Sequence, residues 1–313
     1  MIEQVLGAVF QTLLLLVIAP LVQGVIKKIK ARLQNRVGAG VLQPYYDIYK
    51  YLEKDAVISE HASWLTRATP YLSFFTLLAA GLLLPMIWVN APLEGAGDLV
   101  ILIYLFALVR FFTALAGLDA GSAFGGMGSS REMALSAIAE PALFLAALAV
   151  LLDSGTTRLA PVITSIISQN LSWLNPAYGL AGLAMLIVLI AETGRIPVDN
   201  PDTHLELTMI HEGMLLEYSG RYLGLMVWAA QIKQLLVLTL FIDLFFPWGI
   251  AMAAEPGALA LAAVCYLLKL FLLGAVLALI ETAYAKIRLF QVPRLLASSM
   301  ALSLLAIIVG IAG

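Results

Sequence analysis

Long apolar runs, each about as long as a bilayer core is thick, recur along the chain and are separated by shorter polar segments. The first covers 3–25, and others follow at 70–90, 98–118, 132–153, 176–193, 221–247, 257–284 and 293–312. A helix rises about 1.5 Å per residue, so roughly 20 apolar residues cross the ~30 Å hydrocarbon layer. The pattern predicts an all-α polytopic membrane protein with about eight transmembrane helices, forming a single transmembrane domain over 1–313. Two segments have a different pattern. Residues 43–55 mix aromatic and charged side chains, as an amphipathic helix lying along an interface would. Residues 160–174 form an apolar run broken by Ser, Gln and Asn, too short to cross.

Composition agrees: 62% of residues are apolar, 12% are charged, and the mean hydropathy is +0.96. The net charge of −2 says less than where the charges fall. Lys27, Lys28, Lys30, Arg32, Arg36, Lys50, Lys54 and Arg67 crowd the first long loop. Arg131, then Arg195 and Arg221, then Lys286, Arg288 and Arg294 occupy the other loops on that side, against Arg158 alone on the opposite side. Positive loops stay in the cytoplasm, which predicts that both termini face outward. A cleaved signal peptide carries its positive charges before its apolar core. Here they follow it, so the first run is expected to be retained. The one cysteine, Cys265, excludes an internal disulfide and any thiolate-held zinc or iron–sulfur cluster.

Against that apolar background, residues 191–220 (AETGRIPVDNPDTHLELTMIHEGMLLEYSG) stand out. They hold six carboxylates (Glu192, Asp199, Asp202, Glu206, Glu212 and Glu217) together with Arg195, His204 and His211. Ionisable groups at membrane depth are expensive, so a cluster of them points to function. Glu192 and Arg195 are spaced to pair across one helical turn, and Pro197 and Pro201 should place Asp199 and Asp202 in a turn. A helix restarting near Thr203 would put Asp202 and Glu206 on one face, and His204 and His211 also share one. The HEGML run lacks the second histidine of a zinc-protease helix; hydrogen bonding or proton relay fits these histidines better than a metal site.

Other charges are spread along the chain. Glu140 lies nine residues beyond Arg131, roughly 14 Å into the bilayer. Burying a carboxylate there costs about 2.5–3.5 kcal/mol unless it is neutralised, paired or wet. Pro141 frees a backbone carbonyl one turn earlier, which suits a hydrated break and a place on a proton path. The Gly/Ser-rich stretch 117–131 is read as a loop whose glycines allow close backbone approach, with Ser129 or Ser130 capping the next helix and Glu132 in its first turn. It lacks the GK[ST] of a phosphate-binding loop. In the first loop Asn35, Arg36, Gly38 and Gly40 form a polar turn, and Asp47 and Lys50 have i,i+3 spacing. Lys233 and Asp243 on one span, with Lys269 and Glu281 on the next, could form a polar membrane axis. Arg110 also falls within a span.

These residues resemble subunit 1 of NADH dehydrogenase (complex I). The resemblance rests on NRVG followed by LQP with Asp47 and Lys50, and on the spacing from Arg131 to Glu140. It also rests on Glu192, Arg195, Pro197, Asp199, Pro201, Glu206 and the run Glu217-Tyr218-Ser219-Gly220, and on Arg288 and Gln291. His204 and Phe290 stand where the quinone-reducing branch carries acids, and the first loop is one residue shorter. LDAGSAFGGMGSSREM, THLELTMIHE and AKIRLFQVP look instead like the membrane subunit of energy-converting nickel–iron hydrogenases, the branch that includes formate hydrogenlyase.

The resemblance implies a non-catalytic membrane subunit in a prokaryotic cytoplasmic (inner) membrane, surrounded by lipid and with no nucleic-acid partner. Its expected partners are the hydrogenase large and small subunits, an iron–sulfur subunit and antiporter-like pumping subunits. No cofactor is expected on this chain; the NiFe centre and iron–sulfur clusters belong to partners. Glu140, Glu192, Glu206, Glu212 and Glu217 are the expected proton-relay residues. Arg36, Asp47, Lys50, Arg131, Arg195, Asp199 and Asp202 are expected to dock the arm or order the loops. Two alternatives are a quinone-site subunit of a complex I-type enzyme and a free-standing secondary ion transporter. The transporter reading is weakened because no internal repeat with paired broken spans is visible.

Overall fold

Small polar residues sit where the apolar runs begin, and they set where the helices start. In the computed structural model, which describes residues 2–169, 173, 175–200, 209–253 and 255–312, Ser63, Asp98, Ser122 and Asn175 each accept a hydrogen bond from a backbone N–H of the first turn that follows. Each satisfies a donor that the helix itself leaves open. Pro176 and Pro256 open two further helices at the position where a missing N–H does no harm.

The resulting elements are α1 (Ile2–Leu33), α2 (Gln43–Glu53), α3 (Trp64–Leu83), α4 (Leu99–Asp119), α5 (Ala123–Ser154), α6 (Leu159–Ser168), α7 (Pro176–Glu192), α8 (His211–Leu215), α9 (Gly220–Phe245), α10 (Pro256–Ala283) and α11 (Val292–Ala312). No strand occurs among the described residues; there are only two isolated bridges, Trp88 with Ala251 and Asp98 with Arg158. The all-α expectation holds. A helix covers each of the eight predicted spans, and six of them (α1, α4, α5, α9, α10 and α11) are long and apolar enough to cross a membrane. The other two are α7, with 17 residues, and α3, whose first half carries Thr66, Arg67 and Thr69. The amphipathic segment is α2, and the short apolar run is the ten-residue α6.

The Gly/Ser-rich stretch differs from expectation. It is not a loop: α5 begins at Ala123, nine residues before the predicted start, and Ser122 is its cap rather than Ser129 or Ser130. Ser129 lies inside the helix and donates to the Ala114 carbonyl of α4 at 2.8 Å. The glycines do allow close approach, but of two helices. A Cβ built on Gly125 would stand 2.3 Å from the Gly117 carbonyl oxygen of α4. Helix propensity disfavours glycine here, yet a larger residue could not occupy the site, and packing decides.

The bundle is arranged around α7 and α9. α7 packs on α11 and α5, α9 packs on α3, α2 and α1, and α10 lies against α1. Lipid tails are as apolar as leucine, so close packing and interhelical hydrogen bonds hold such helices together. Ser299 of α11 donates to the Ala184 carbonyl at 2.8 Å, and the Tyr178 hydroxyl donates to the Leu244 carbonyl at 2.6 Å. The outer faces of α1 and α10 expose apolar rows, Val5, Val9, Phe10 and Leu13 on one and Leu261, Val264, Leu268 and Leu272 on the other. The ends of α1, α4, α7 and α10 gather with the starts of α5, α9 and α11 at one loop-rich end.

Gly125→Ala should lower stability by about 1–3 kcal/mol, the usual effect of overpacking a tight contact, despite its gain in helix propensity. Thermal unfolding of the purified protein in detergent would read this as a lowered midpoint; an unchanged midpoint would mean that the α4–α5 approach is loose.

Candidate functional site: a buried chain of charges

Arg110 projects from the middle of α4 into the bundle, with only 5% of its side chain exposed. An arginine there stays charged, and its planar fork can serve several carboxylates at once. Three converge on it. Nε lies 3.1 Å from Oε1 of Glu132, Nη1 donates to Glu140 at 2.6 Å, and Nη2 makes a short bond to Glu192. Glu132 and Glu140 are eight residues apart on α5 and therefore share a face. Glu192 is the last residue of α7. Lys233 of α9 reaches the same Glu192 oxygen that Arg110 does, at 3.1 Å. Arg110 and Lys233 thus meet three carboxylates, one more than they can neutralise. Of the three acids only Glu140 reaches the outside of the chain, with 36% of its side chain exposed against 6% for Glu132 and 1% for Glu192.

The loop after α7 carries a second group. Asp199 is buried, and its Oδ2 accepts from the backbone N–H groups of Ile210 and His211, each at 3.3 Å. Lys286 donates to Oδ1 at 3.0 Å. The His211 ring lies between the two groups, with Nδ1 3.6 Å from Asp199 Oδ2 and Nε2 3.4 Å from Glu132 Oε2. These two residues lie outside the spanning helices, in the connection between α7 and α9. Burial alone would raise the Asp199 carboxyl, but the adjoining His211 ring and the Lys286 ammonium prevail and hold it at about 2. Burial alone would lower His211; the carboxylates of Glu132 and Asp199 outweigh both burial and the nearby Lys233, so its pKa stands above 6.5.

A third group anchors the same loop elsewhere. Glu192 and Arg195 do not pair as their spacing suggested. The helix ends at Glu192, and the turn through Gly194 (φ 59°) carries Arg195 away from it. Arg195 donates instead to Glu281 of α10 at 2.9 Å and to Gln234 of α9 at 2.7 Å, with a short bond to Gln23 of α1. Lys30 of α1 lies 3.1 Å from the other Glu281 oxygen. Beside this group a cavity of about 440 Å³ opens at the loop-rich end, with Lys27, Asp47, Arg195, Asp199, His211 and Glu212 among its lining residues.

The remaining candidates are scattered. Asp47 lies 3.8 Å from Lys50 within α2, as expected, and accepts from Gln43 at 3.0 Å. Arg36 follows Asn35 (φ 57°) in the turn after α1. Arg131 donates to the Met209 carbonyl at 3.0 Å, tying α5 to the loop before α8. Glu217 has no ion-pair partner among the described residues. Asp202, Glu206 and His204 lie outside the described residues. Lys269 does not pair with Asp243: its ammonium donates to the carbonyls of Phe246 and Trp248 at 2.9 and 2.7 Å. Asp243 is ten residues, or about 15 Å, along α9 from Lys233, so the polar groups of α9 and α10 fall into separate clusters. No group of three or more metal-binding side chains is arranged to hold an ion among the described residues.

Sequence reasoning noted Arg110 within a span but gave it no role, assigned Glu132 to capping, and left Lys30 and Lys286 as topology signals. Glu132 is nine residues inside α5, too far from its start to serve as a cap, and is free to meet Arg110. The available signal was Arg110 itself: an arginine in mid-span needs carboxylates at the same depth.

Removing Arg110 would leave the buried Glu132 and Glu192 and the partly exposed Glu140 with Lys233, on Glu192, as the one cation in the cluster. Arg110→Met should destabilise the protein by about 3–5 kcal/mol, as loss of one partner of a buried pair does. Thermal unfolding in detergent would show it, with Glu140→Gln as a milder comparison; an equal midpoint for Arg110→Met and wild type would mean that the cluster contributes nothing. The Asp199–His211 contact should respond to pH at both ends. His211 is raised, so its contribution is complete below 6.5 and is lost as pH rises through its higher folded value. Asp199 is lowered, so its contribution is present above 3.8 and is lost as pH falls through about 2. Hydrogen exchange at the Ile210 and His211 amides, corrected for intrinsic rate, should stay slow between these limits and speed up on the alkaline side. His211→Gln should abolish the alkaline change.

A family model described as NADH dehydrogenase matches residues 6–311. Formate hydrogenlyase subunit 4 of Escherichia coli (strain K12) is 38% identical over 304 residues, covering 97% of this chain and 98% of that protein. Hydrogenase-4 component C of the same organism is 36% identical and covers 90% of this chain and 88% of its own length. Among solved structures, a chain of the membrane-bound sulfane sulfur reductase, an archaeal respiratory membrane complex, superposes with a TM-score of 0.85 at 20% identity, covering 98% of this chain and 99% of that one. At that identity the structural likeness speaks for the fold alone, and the likeness does extend end to end. This chain is a multi-pass membrane subunit of a hydrogenase-like complex. It belongs to the NADH dehydrogenase family, the family of complex I subunit 1, in the branch represented by formate hydrogenlyase subunit 4 and hydrogenase-4 component C.

Proposed function

We propose that this chain is the coupling subunit of a membrane-bound nickel–iron hydrogenase. It anchors the redox arm (large, small and iron–sulfur subunits) and passes protons, or the charge displacement that drives them, to antiporter-like pumping subunits. The observation that carries this reading is the Arg110 cluster: three carboxylates from two helices around one guanidinium, in a chain of which only 12% of residues are charged. With one carboxylate in excess, the cluster responds to charge placed nearby. Glu192 is its buried centre and Glu140 its outer edge, where a neighbouring membrane chain could receive a proton. At the other end Asp199, His211 and Glu212 border the cavity beneath the loop-rich end, where α2, with Asp47 and Lys50, and the Arg36 turn offer a polar face to a soluble arm.

The chain's own part is electrostatic. A change of charge in the arm shifts the proton affinity of Asp199 and His211. The string of contacts from Lys286 through Asp199, His211, Glu132 and Arg110 to Glu192 and Lys233 transmits that shift into the membrane. Redox chemistry stays with the NiFe centre and iron–sulfur clusters of the partners. Native mass spectrometry of the gently solubilised complex should find nickel and iron–sulfur subunits with this chain. Glu140→Gln should leave that assembly intact and cut proton translocation per hydrogen evolved about tenfold or more, measured with a pH-sensitive dye in sealed vesicles. Wild-type translocation in a correctly assembled variant would remove Glu140 from the path.

A further inference from the structure

Two cavities meet at a single side chain. The larger, about 440 Å³, opens at the loop-rich end and reaches Asp199. The smaller, about 20 Å³, lies inside the bundle against Arg110, Glu132, Ser136 and Glu192. Twenty cubic ångströms is room for a single water, and Glu192, which lines this space, has an Oε1 that is buried without a hydrogen-bond partner among the described residues. Among the described residues, His211 alone lines both cavities. Its side chain is 34% exposed, whereas Asp199 and Glu132 on either side of it are 3% and 6% exposed. Nδ1 is buried, has no hydrogen-bond partner among the described residues and is directed at Asp199; Nε2 is directed at Glu132.

We propose that His211 is the port through which protons pass between the open cavity and the buried Arg110–glutamate cluster. This rests on the coupling reading above and names its entrance. Imidazole suits the task because its two nitrogens face different neighbours and both can carry a proton. Uptake of a proton at Nδ1, by way of the neighbouring Asp199, which lines the open cavity, gives an imidazolium. Release of the Nε2 proton to the Glu132 carboxylate, directly or through one water, returns a neutral ring and leaves one proton inside. A small rotation of the ring closes either gap. The charged groups facing the ring favour loading it: Asp199 from the loop and Glu132 from α5 attract the proton, Lys233 from α9 opposes it, and Lys286 already engages Asp199 on its other oxygen. Counting charges gives the same result. Among the described residues the string from Lys286 to Lys233, with Glu140 included, contains four carboxylates and three fixed cations, Lys286, Arg110 and Lys233; a protonated His211 adds a fourth. The backbone leaves space for the ring. A Cβ on Gly194, which has a positive φ of 59°, would fall 2.9 Å from Nδ1.

The test uses the complete complex in sealed native vesicles, with subunit composition by mass spectrometry as the assembly control. His211→Ala should lower proton translocation per hydrogen evolved at least about tenfold. Added imidazole, which the open cavity can admit, should restore it. The cation 1,3-dimethylimidazolium, which has the charge but no transferable proton, should not. Undiminished translocation in His211→Ala would overturn the proposal, as would equal rescue by the two compounds, because charge rather than proton transfer would then suffice. If His211→Ala does not assemble, His211→Gln keeps a hydrogen-bonding side chain and should show the same loss; normal translocation in it would again overturn the port. Glu140→Gln run in parallel separates the two ideas. Loss with Glu140→Gln but not with His211→Ala would reject only the port, whereas no loss with either would reject the coupling reading as well.

Discussion

A guanidinium in the middle of an apolar bundle is the constraint that organises this chain. Arg110 cannot shed its charge at any ordinary pH, and it cannot reach water from mid-span. The charge must therefore be met by carboxylates at the same depth, held by helices that can come close enough. Glu132 and Glu140 can do so because α5 approaches α4 as closely as Gly117 and Gly125 allow. Glu192 can do so because α7 ends at that depth instead of continuing past it. The closeness of α4 and α5, the short α7 and the loop that follows it can all be understood as ways of placing anions around one cation.

The arrangement is not neutral, and that separates it from a purely structural ion pair. A pair matched one to one gains coulombic energy against a desolvation penalty of similar size and then has no reason to change state. Here the buried cations are outnumbered, so the balance depends on a group that can gain or lose a proton. Arg195 illustrates the other design. Glu281 and two glutamine oxygens meet it directly, and its hydrogen bonds point to three different helices. It fixes the start of the loop to α10, α1 and α9, so that Asp199 four residues later is held steady against Lys286. One cluster locks the loop, and the other is free to respond.

Much of this was legible in the sequence. The helices were, because run length and hydropathy decide which segments a bilayer will accept, and α2 was, because its charges and aromatics alternate at helical spacing. Glu140 stood out as a lone acid in a span. Legibility failed where local rules met tertiary ones. The glycines of 121–128 look like a loop by propensity, yet most of them are in a helix because the neighbouring backbone leaves no room for side chains. Glu192 and Arg195 have the spacing of a pair, but a helix that stops between them turns one toward α4 and the other toward α10. Arg110 was noticed and set aside, although asking what could neutralise it would have pointed to Glu140 thirty residues away. Asp202, His204 and Glu206 lie outside the described residues, so the acidic run of 191–220 is described only at its two ends.

Those two ends are brought together by Asp199, and this gives the acidic run a physical meaning. One carboxylate accepts from the backbone of Ile210 and His211 while holding Lys286, so the chain leaves α7, passes through 200–209 and returns to the same point. His211 is thereby set over the buried cluster by the residue that also tunes its proton affinity. A change of charge above the loop would act on Asp199 first, then on the ring, and only through the ring on Glu132 and Arg110. An acid in place of His211 would add a fifth negative charge to a string already short of cations. A lysine would hold its proton too firmly and has only one nitrogen to present. Between these, imidazole is the side chain that can balance the string when loaded and leave it one charge short when not.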